Sequence, residues 1–167
     1  PFSFTTLAAT FTLAVPTFPA DAALGVSKTV LLDWSDAAAG TAPYTYDVEI
    51  FSDAGLTTSV YSDAALGVSQ EQVPAATLSP STQYWWVVKS YDASPADGYS
   101  SVFTFTTAAD LATGLLLTPA NSATLQPLSP TFTWNAATGG IGAYSFVVKI
   151  YSDALLTTLV HTSASQA

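Results

Sequence analysis

The sequence predicts an all-β chain made of tandem sandwich repeats with a period of about 100 residues. Three observations carry this. Short runs alternate apolar and polar residues with period two, β-branched and aromatic residues are abundant, and one long phrase returns a hundred positions after it first appears.

The repetition sets the organisation. "YTYDVEIFSDAGLTTSV" (44–60) aligns without gaps on "YSFVVKIYSDALLTTLV" (144–160), with ten of seventeen positions identical. Upstream the register holds: Trp34 falls on Trp134, Pro19 on Pro119 and Ala20 on Ala120. "FSFTT" (2–6) matches "FTFTT" (103–107) at an offset of 101, so one residue has been gained or lost in the connecting segment, where indels are cheapest. The expected organisation is therefore a final strand of a preceding repeat (1–6), a complete domain (7–107) and the N-terminal part of the next (108–167).

Within the complete unit each run has an inward face. "TVLLDW" (29–34) turns Val30, Leu32 and Trp34 to one side, and "YDVEI" (46–50) turns Tyr46, Val48 and Ile50 inward with Asp47 and Glu49 outward. "YWWVV" (84–88) directs Tyr84, Trp86 and Val88 inward, and "VFTFT" (102–106) does the same with Phe103 and Phe105. Trp134 is the equivalent core residue of the second copy. Pro16, Pro19, Pro74 and Pro80 suit strand edges and turns. "SDAGLTTSV" (52–60) reads as the corner by which the chain leaves its strand and crosses towards the next edge, with Leu56 and Val60 facing the core. "DAALGVS" occurs at 21–27 and again at 63–69, each copy reading as a turn that leads to a strand.

Composition narrows the function classes. Twelve Asp and Glu face three Lys and no Arg, a formal net charge of −9, so the clustered cations that nucleic-acid phosphates require are missing. Anionic membrane surfaces repel such a chain, and no apolar run approaches the roughly 20 residues of a membrane helix. The opening "PFSFTTLAAT" lacks the basic and apolar regions of a signal peptide and reads as the middle of a longer protein. There is no Cys, which removes disulfides and thiolate metal sites. Of the 167 residues 43 are Ser or Thr, yet none lies in an Asn-x-Ser/Thr sequon, so O-linked rather than N-linked glycans fit the surface.

Catalytic material is scarce. His161, the sole histidine, stands where the first unit has Tyr61 and reads as a strand surface residue. Glu49 and Glu71, the only two Glu, could in principle form a glycosidase pair, but Glu49 gives way to Lys149 in the second copy, and both read as solvated surface. The chain is expected not to be an enzyme and to need no cofactor. Calcium is the one ion for which acidic loops offer oxygen ligands: Asp92 with Asp97 in "YDASPADGY" (91–99), then Asp21 with Asp63, or Asp33 with Asp36. Asp97-Gly98 is equally a good turn. Phe51, Trp85 and Tyr151 are expected to point outward and, with Val87, to form an apolar partner-contact stripe. The rival reading packs these aromatics against loops of their own unit.

Taken in order, "VLLDW" and "PTFTW", "YDVEI" and "FVVKI", "LSPSTQYWWVV" (78–88) and "SVFTFTT" give a pattern that resembles the fibronectin type III domain, in the immunoglobulin-like form of large bacterial and archaeal surface proteins. The resemblance covers almost the whole chain. It implies that Trp34 and Trp134 are core tryptophans and that Tyr84 is a tyrosine-corner residue whose hydroxyl bonds back to the chain. Val87 departs from the pattern, since such domains usually carry Arg there. In the second copy Phe132, Trp134, Phe146, Val148 and Ile150 lack their covering strands, an exposure of roughly 10 kcal/mol at about 1.5–3 kcal/mol per large side chain. Either these residues belong to a longer chain, or another molecule completes the sandwich in trans.

These features lead to an expected structural or adhesive role: a repeat segment of a long extracellular, cell-surface protein that forms or decorates a filament, sheath or stalk. Its expected partners are copies of itself or neighbouring repeats, and surface glycans. The alternative is a spacer or carbohydrate-binding accessory module of a secreted multidomain enzyme or adhesin.

Overall fold

The period-two runs become strands in the computed structural model, which describes residues 10–94 and 97–166 and contains no helix among them. Two compact units divide between Asp110 and Leu111. The expected strand at 1–6 lies outside the described residues.

The first unit holds nine strands: β1 (Pro16–Phe18), β2 (Ala23–Val26), β3 (Leu31–Trp34), β4 (Thr45–Phe51), β5 (Ser59–Leu66), β6 (Gln70–Gln72), β7 (Gln83–Tyr91), β8 (Asp97–Tyr99) and β9 (Phe103–Thr107). They form a three-stranded sheet ordered β1-β3-β6 and a six-stranded sheet ordered β2-β9-β7-β4-β5, with β8 also paired to β7. All pairs are antiparallel except β2 with β9. Pro16, with no N–H to donate, sits on the edge strand β1.

The inward faces of both sheets share one core. Leu32 and Trp34 come from the smaller sheet; Tyr46, Val48, Ile50, Tyr84, Trp86, Val88 and Phe105 come from the larger, each 0–4% exposed. Phe103 is half-buried and packs edge-on against Trp86. This arrangement is consistent with a β-sandwich. Polar tips inside it are tied to backbone: the Tyr46 hydroxyl accepts the Ala37 N–H at 2.9 Å, and the Tyr84 hydroxyl accepts the Ser79 N–H at 2.9 Å. Burial pushes the Tyr46 phenol up, partly offset by that bond from Ala37.

The second unit reuses the same pairings. Its strands are β10 (Leu116–Thr118), β11 (Thr133–Trp134), β12 (Lys149–Tyr151) and β13 (Leu159–Thr162). Leu116 opposes Trp134 as Pro16 opposes Trp34, and Ile150 opposes His161 as Ile50 opposes Tyr61. Even the irregularity between positions 50 and 51 returns between 150 and 151. What differs is cover. Leu32, Trp34, Tyr46, Val48 and Ile50 are at most 2% exposed, whereas Phe132, Trp134, Phe146, Val148 and Ile150 are only half-buried.

Three local expectations are corrected. "SDAGLTTSV" does not cross to another edge: it is a hairpin loop that returns the chain as β5 alongside β4. Val60 packs on the core, but Leu56 stays half-buried in the loop with a left-handed φ of 54°. The two "DAALGVS" copies also diverge, because the first contains β2 itself while the second closes β5 and runs into the turn before β6. Thirdly, Phe51 and Val87 are buried at 7% and 4% exposure instead of pointing into solvent.

Candidate functional site

The expected contact stripe begins on β4 and β7, where Phe51 lies opposite Trp85 and Glu49 opposite Val87. Phe51 and Val87 are covered and Trp85 is half-buried, so β4 and β7 present no continuous apolar stripe to water; Tyr151, in the second unit, is half-buried as well. The cause at Val87 is visible in its neighbours. Glu49, Lys89 and Tyr99 stand around it in a shallow cleft of about 250 Å³, so their long side chains cover the valine while their polar ends stay wet.

That outer face carries a polar network which period-two reasoning does not reveal. The Tyr91 hydroxyl donates to the Asp47 carboxylate at 2.6 Å, and the Lys89 ammonium meets Asp97 at 3.0 Å. The same ammonium lies 4.7 Å from the Tyr91 ring centre and 5.4 Å from that of Tyr99. The Asp97 hydrogen bond holds the Lys89 pKa up, and the Asp47 carboxylate raises that of Tyr91. A sequence signal did exist: Asp47 and Lys89 are directly opposed once β4 and β7 are paired.

The acidic residues are engaged locally. Asp92 accepts from the amides of Thr41 and Ser94, while Asp97 meets the Lys89 ammonium. Asp21 accepts from the Thr104 amide at 2.8 Å and from its hydroxyl at 3.0 Å, which holds the Asp21 pKa down. Asp63 accepts from Ala64. Asp33 belongs to β3, and Asp36 lies exposed beyond it. Among the described residues no three His, Cys, Asp or Glu gather as a metal site. Glu49 in β4 and Glu71 in β6 belong to different sheets, and Glu71 accepts the Tyr61 hydroxyl at 2.6 Å. His161 is exposed on β13.

The repeated loop is built by one carboxylate in each copy. Asp53 accepts from the amides of Thr57 and Thr58, and Asp153 from those of Thr157 and Thr158. The Thr157 and Thr158 amides pull the Asp153 pKa down to about 2. At Asp53 desolvation opposes the shift, yet the bonds from Thr57 and Thr58 still lower its pKa.

The second unit contains a cleft of about 680 Å³ lined by Leu111, Leu116, Trp134, Ile141, Phe146 and Val148 among others. Trp134 and Phe146 meet there with ring centres 5.7 Å apart, as Trp34 and Tyr46 do inside the first unit. Trp134, Phe146 and Val148 in this cleft stand at the positions that Trp34, Tyr46 and Val48 hold in the core of the first unit. The chain matches no protein-family model, and neither curated proteins nor solved structures yield a match to it.

Proposed function

We propose that this chain is a structural and adhesive repeat segment of a long cell-surface protein, with units of fibronectin type III-like character, acting through contacts with copies of itself. The observation that carries the reading is the shared pairing register of the two units, down to the irregularity after Ile50 and Ile150. A unit copied so closely presents the same contact many times, which turns weak contacts into firm attachment. The Tyr84–Ser79 bond supports the tyrosine-corner resemblance. A non-catalytic role is supported by Glu49 and Glu71 lying in different sheets and by the exposed His161.

Fractionating the source cells with an antibody against the first unit tests this. The expected band lies in the surface fraction, is far longer than 167 residues, and yields further peptides spaced near 100 residues. A cytosolic band, or one catalytic domain joined to these two units alone, would overturn the reading.

A further inference from the structure

We infer that the shallow cleft on the outer face of the first unit is a saccharide-binding site, built by Glu49, Ser62 and Asp63 on one side and by Lys89 and Tyr99 on the other. Strand pairing lays the face out in two neighbouring rungs. Ser62, Glu49 and Val87 form one, across β5, β4 and β7; Asp47, Lys89 and Tyr99 form the other, across β4, β7 and β8. At about 4.8 Å between strands the face from β5 to β8 spans roughly 14 Å, enough for a short stretch of a glycan chain. The cleft itself is about 250 Å³, below the roughly 300 Å³ at which pockets begin to enclose a drug-sized ligand, so it suits one sugar ring of such a chain.

The groups left unsatisfied in the cleft define its ligand. Glu49 is half-buried, yet neither its carboxylate nor the Ser62 hydroxyl makes a hydrogen bond among the described residues. Asp63 commits one carboxylate oxygen, to the Ala64 amide, and leaves the other. The Tyr99 ring stands beside them, 58% exposed. Sugar hydroxyls donate to such carboxylates, and the C–H face of a sugar ring packs on the electron-rich face of an exposed aromatic. Asp47 has a different part. The Tyr91 hydroxyl and the Ala65 amide occupy its two oxygens, so it holds the wall of the cleft in place.

A charged ligand fits less well. The chain's own Lys89 ammonium already lies 4.7 Å from the Tyr91 ring centre and 5.4 Å from that of Tyr99, and it repels a second cation there. An anion meets the carboxylates of Asp47, Glu49 and Asp63. A neutral polyhydroxyl ligand meets neither repulsion and takes a hydrogen bond from the ammonium. Nor does the fold demand these groups. Val147, Lys149, Thr162 and Ser163 replace Asp47, Glu49, Ser62 and Asp63 in the second unit, where β12 and β13 pair in the equivalent register. The cleft chemistry thus belongs to the outer surface of the first unit alone, and the inference does not depend on the array reading.

The isotope-labelled full chain is titrated with methyl mannoside, methyl glucoside, methyl galactoside, N-acetylglucosamine, cellobiose and lactose, and amide shifts are followed by NMR. A small ligand in so open a cleft binds near the millimolar range, so each probe is raised to about 50 mM. At least one is expected to shift the amides of Glu49, Ser62, Asp63, Lys89 and Tyr99 along a single saturable curve. Tyr99→Ala is expected to weaken that binding about 3- to 10-fold, and Glu49→Gln by about the same factor. Ser62→Ala, exposed on the edge strand β5, is expected to weaken it about 2- to 10-fold and keeps the comparison open should either other variant fail to fold. Saturation by none of the probes overturns the proposal, as does binding that the folded variants leave unchanged. Shifts confined to Trp134 and Phe146 overturn it as well, since the sugar would then sit in the second unit. Tighter binding of butylammonium or N-acetylarginine amide than of any sugar also overturns it, because the cleft would then be a seat for a cationic side chain.

Discussion

Trp34 and Trp134 occupy the same position in two copies of one strand pair, opposite Pro16 and Leu116, yet only Trp34 is sealed from water. Equal sequence patterns thus carry unequal energy. Trp34→Ala should cost about 3–5 kcal/mol, a large part of a domain's usual 5–15 kcal/mol. Trp134→Ala should cost less, because that indole is less completely covered. Urea unfolding of each variant, followed by near-UV circular dichroism, gives the comparison; equal losses would contradict the difference in cover.

Phe51 separates a packing role from a contact role. At 7% exposure its truncation to Ala should destabilise the first unit by about 3–5 kcal/mol. Trp85, half-buried opposite it, should cost less. Thermal melts of the two variants decide the point. A Phe51→Ala protein as stable as the parent would restore the residue to a surface role.

Tyr84→Phe removes one hydroxyl and leaves the Ser79 amide without its acceptor. The expected loss is about 0.5–1.5 kcal/mol with unchanged secondary structure. Denaturant titration measures it, and a loss near zero would mean that water replaces the hydroxyl freely.

The Asp153 loop should respond to acid. Its folded pKa of about 2 lies below the usual carboxylate range near 4, so the stabilisation is complete above about pH 4 and disappears as pH falls towards 2. The Thr158 amide shift, followed by NMR, should titrate with a midpoint near 2 and lose that response in Asp153→Asn. A midpoint at 4 would show that the carboxylate is not held by the loop amides.

Alternation alone was enough to place Val30, Leu32, Trp34, Tyr46, Val48, Ile50, Tyr84, Trp86, Val88 and Phe105 inside, because each belongs to a run with one consistently apolar face. It failed at Phe51 and Val87, since burial there depends on neighbours that only strand pairing brings close: Glu49, Lys89 and Tyr99 around Val87, and Trp85 beside Phe51. "DAALGVS" shows the same limit. Identical residues become β2, paired with β9, in one place and the end of β5, paired with β4, in the other, so their outcome is set by the strands that tertiary folding brings beside them.

The shared register has a consequence for how such a chain folds. A newly collapsed β7 meets two seats of almost the same inward chemistry, Tyr46-Val48-Ile50 and Phe146-Val148-Ile150. The loop to the farther seat is less than twice as long, so closure entropy separates the two by under about 0.6 kcal/mol. Discrimination falls instead to the outward residues: Asp47 gives Tyr91 a hydrogen-bond acceptor, and Val147 in its place cannot. The positions at which the copies disagree, seven of the seventeen in this stretch, thus favour each strand's own repeat while the chain is still unfolded.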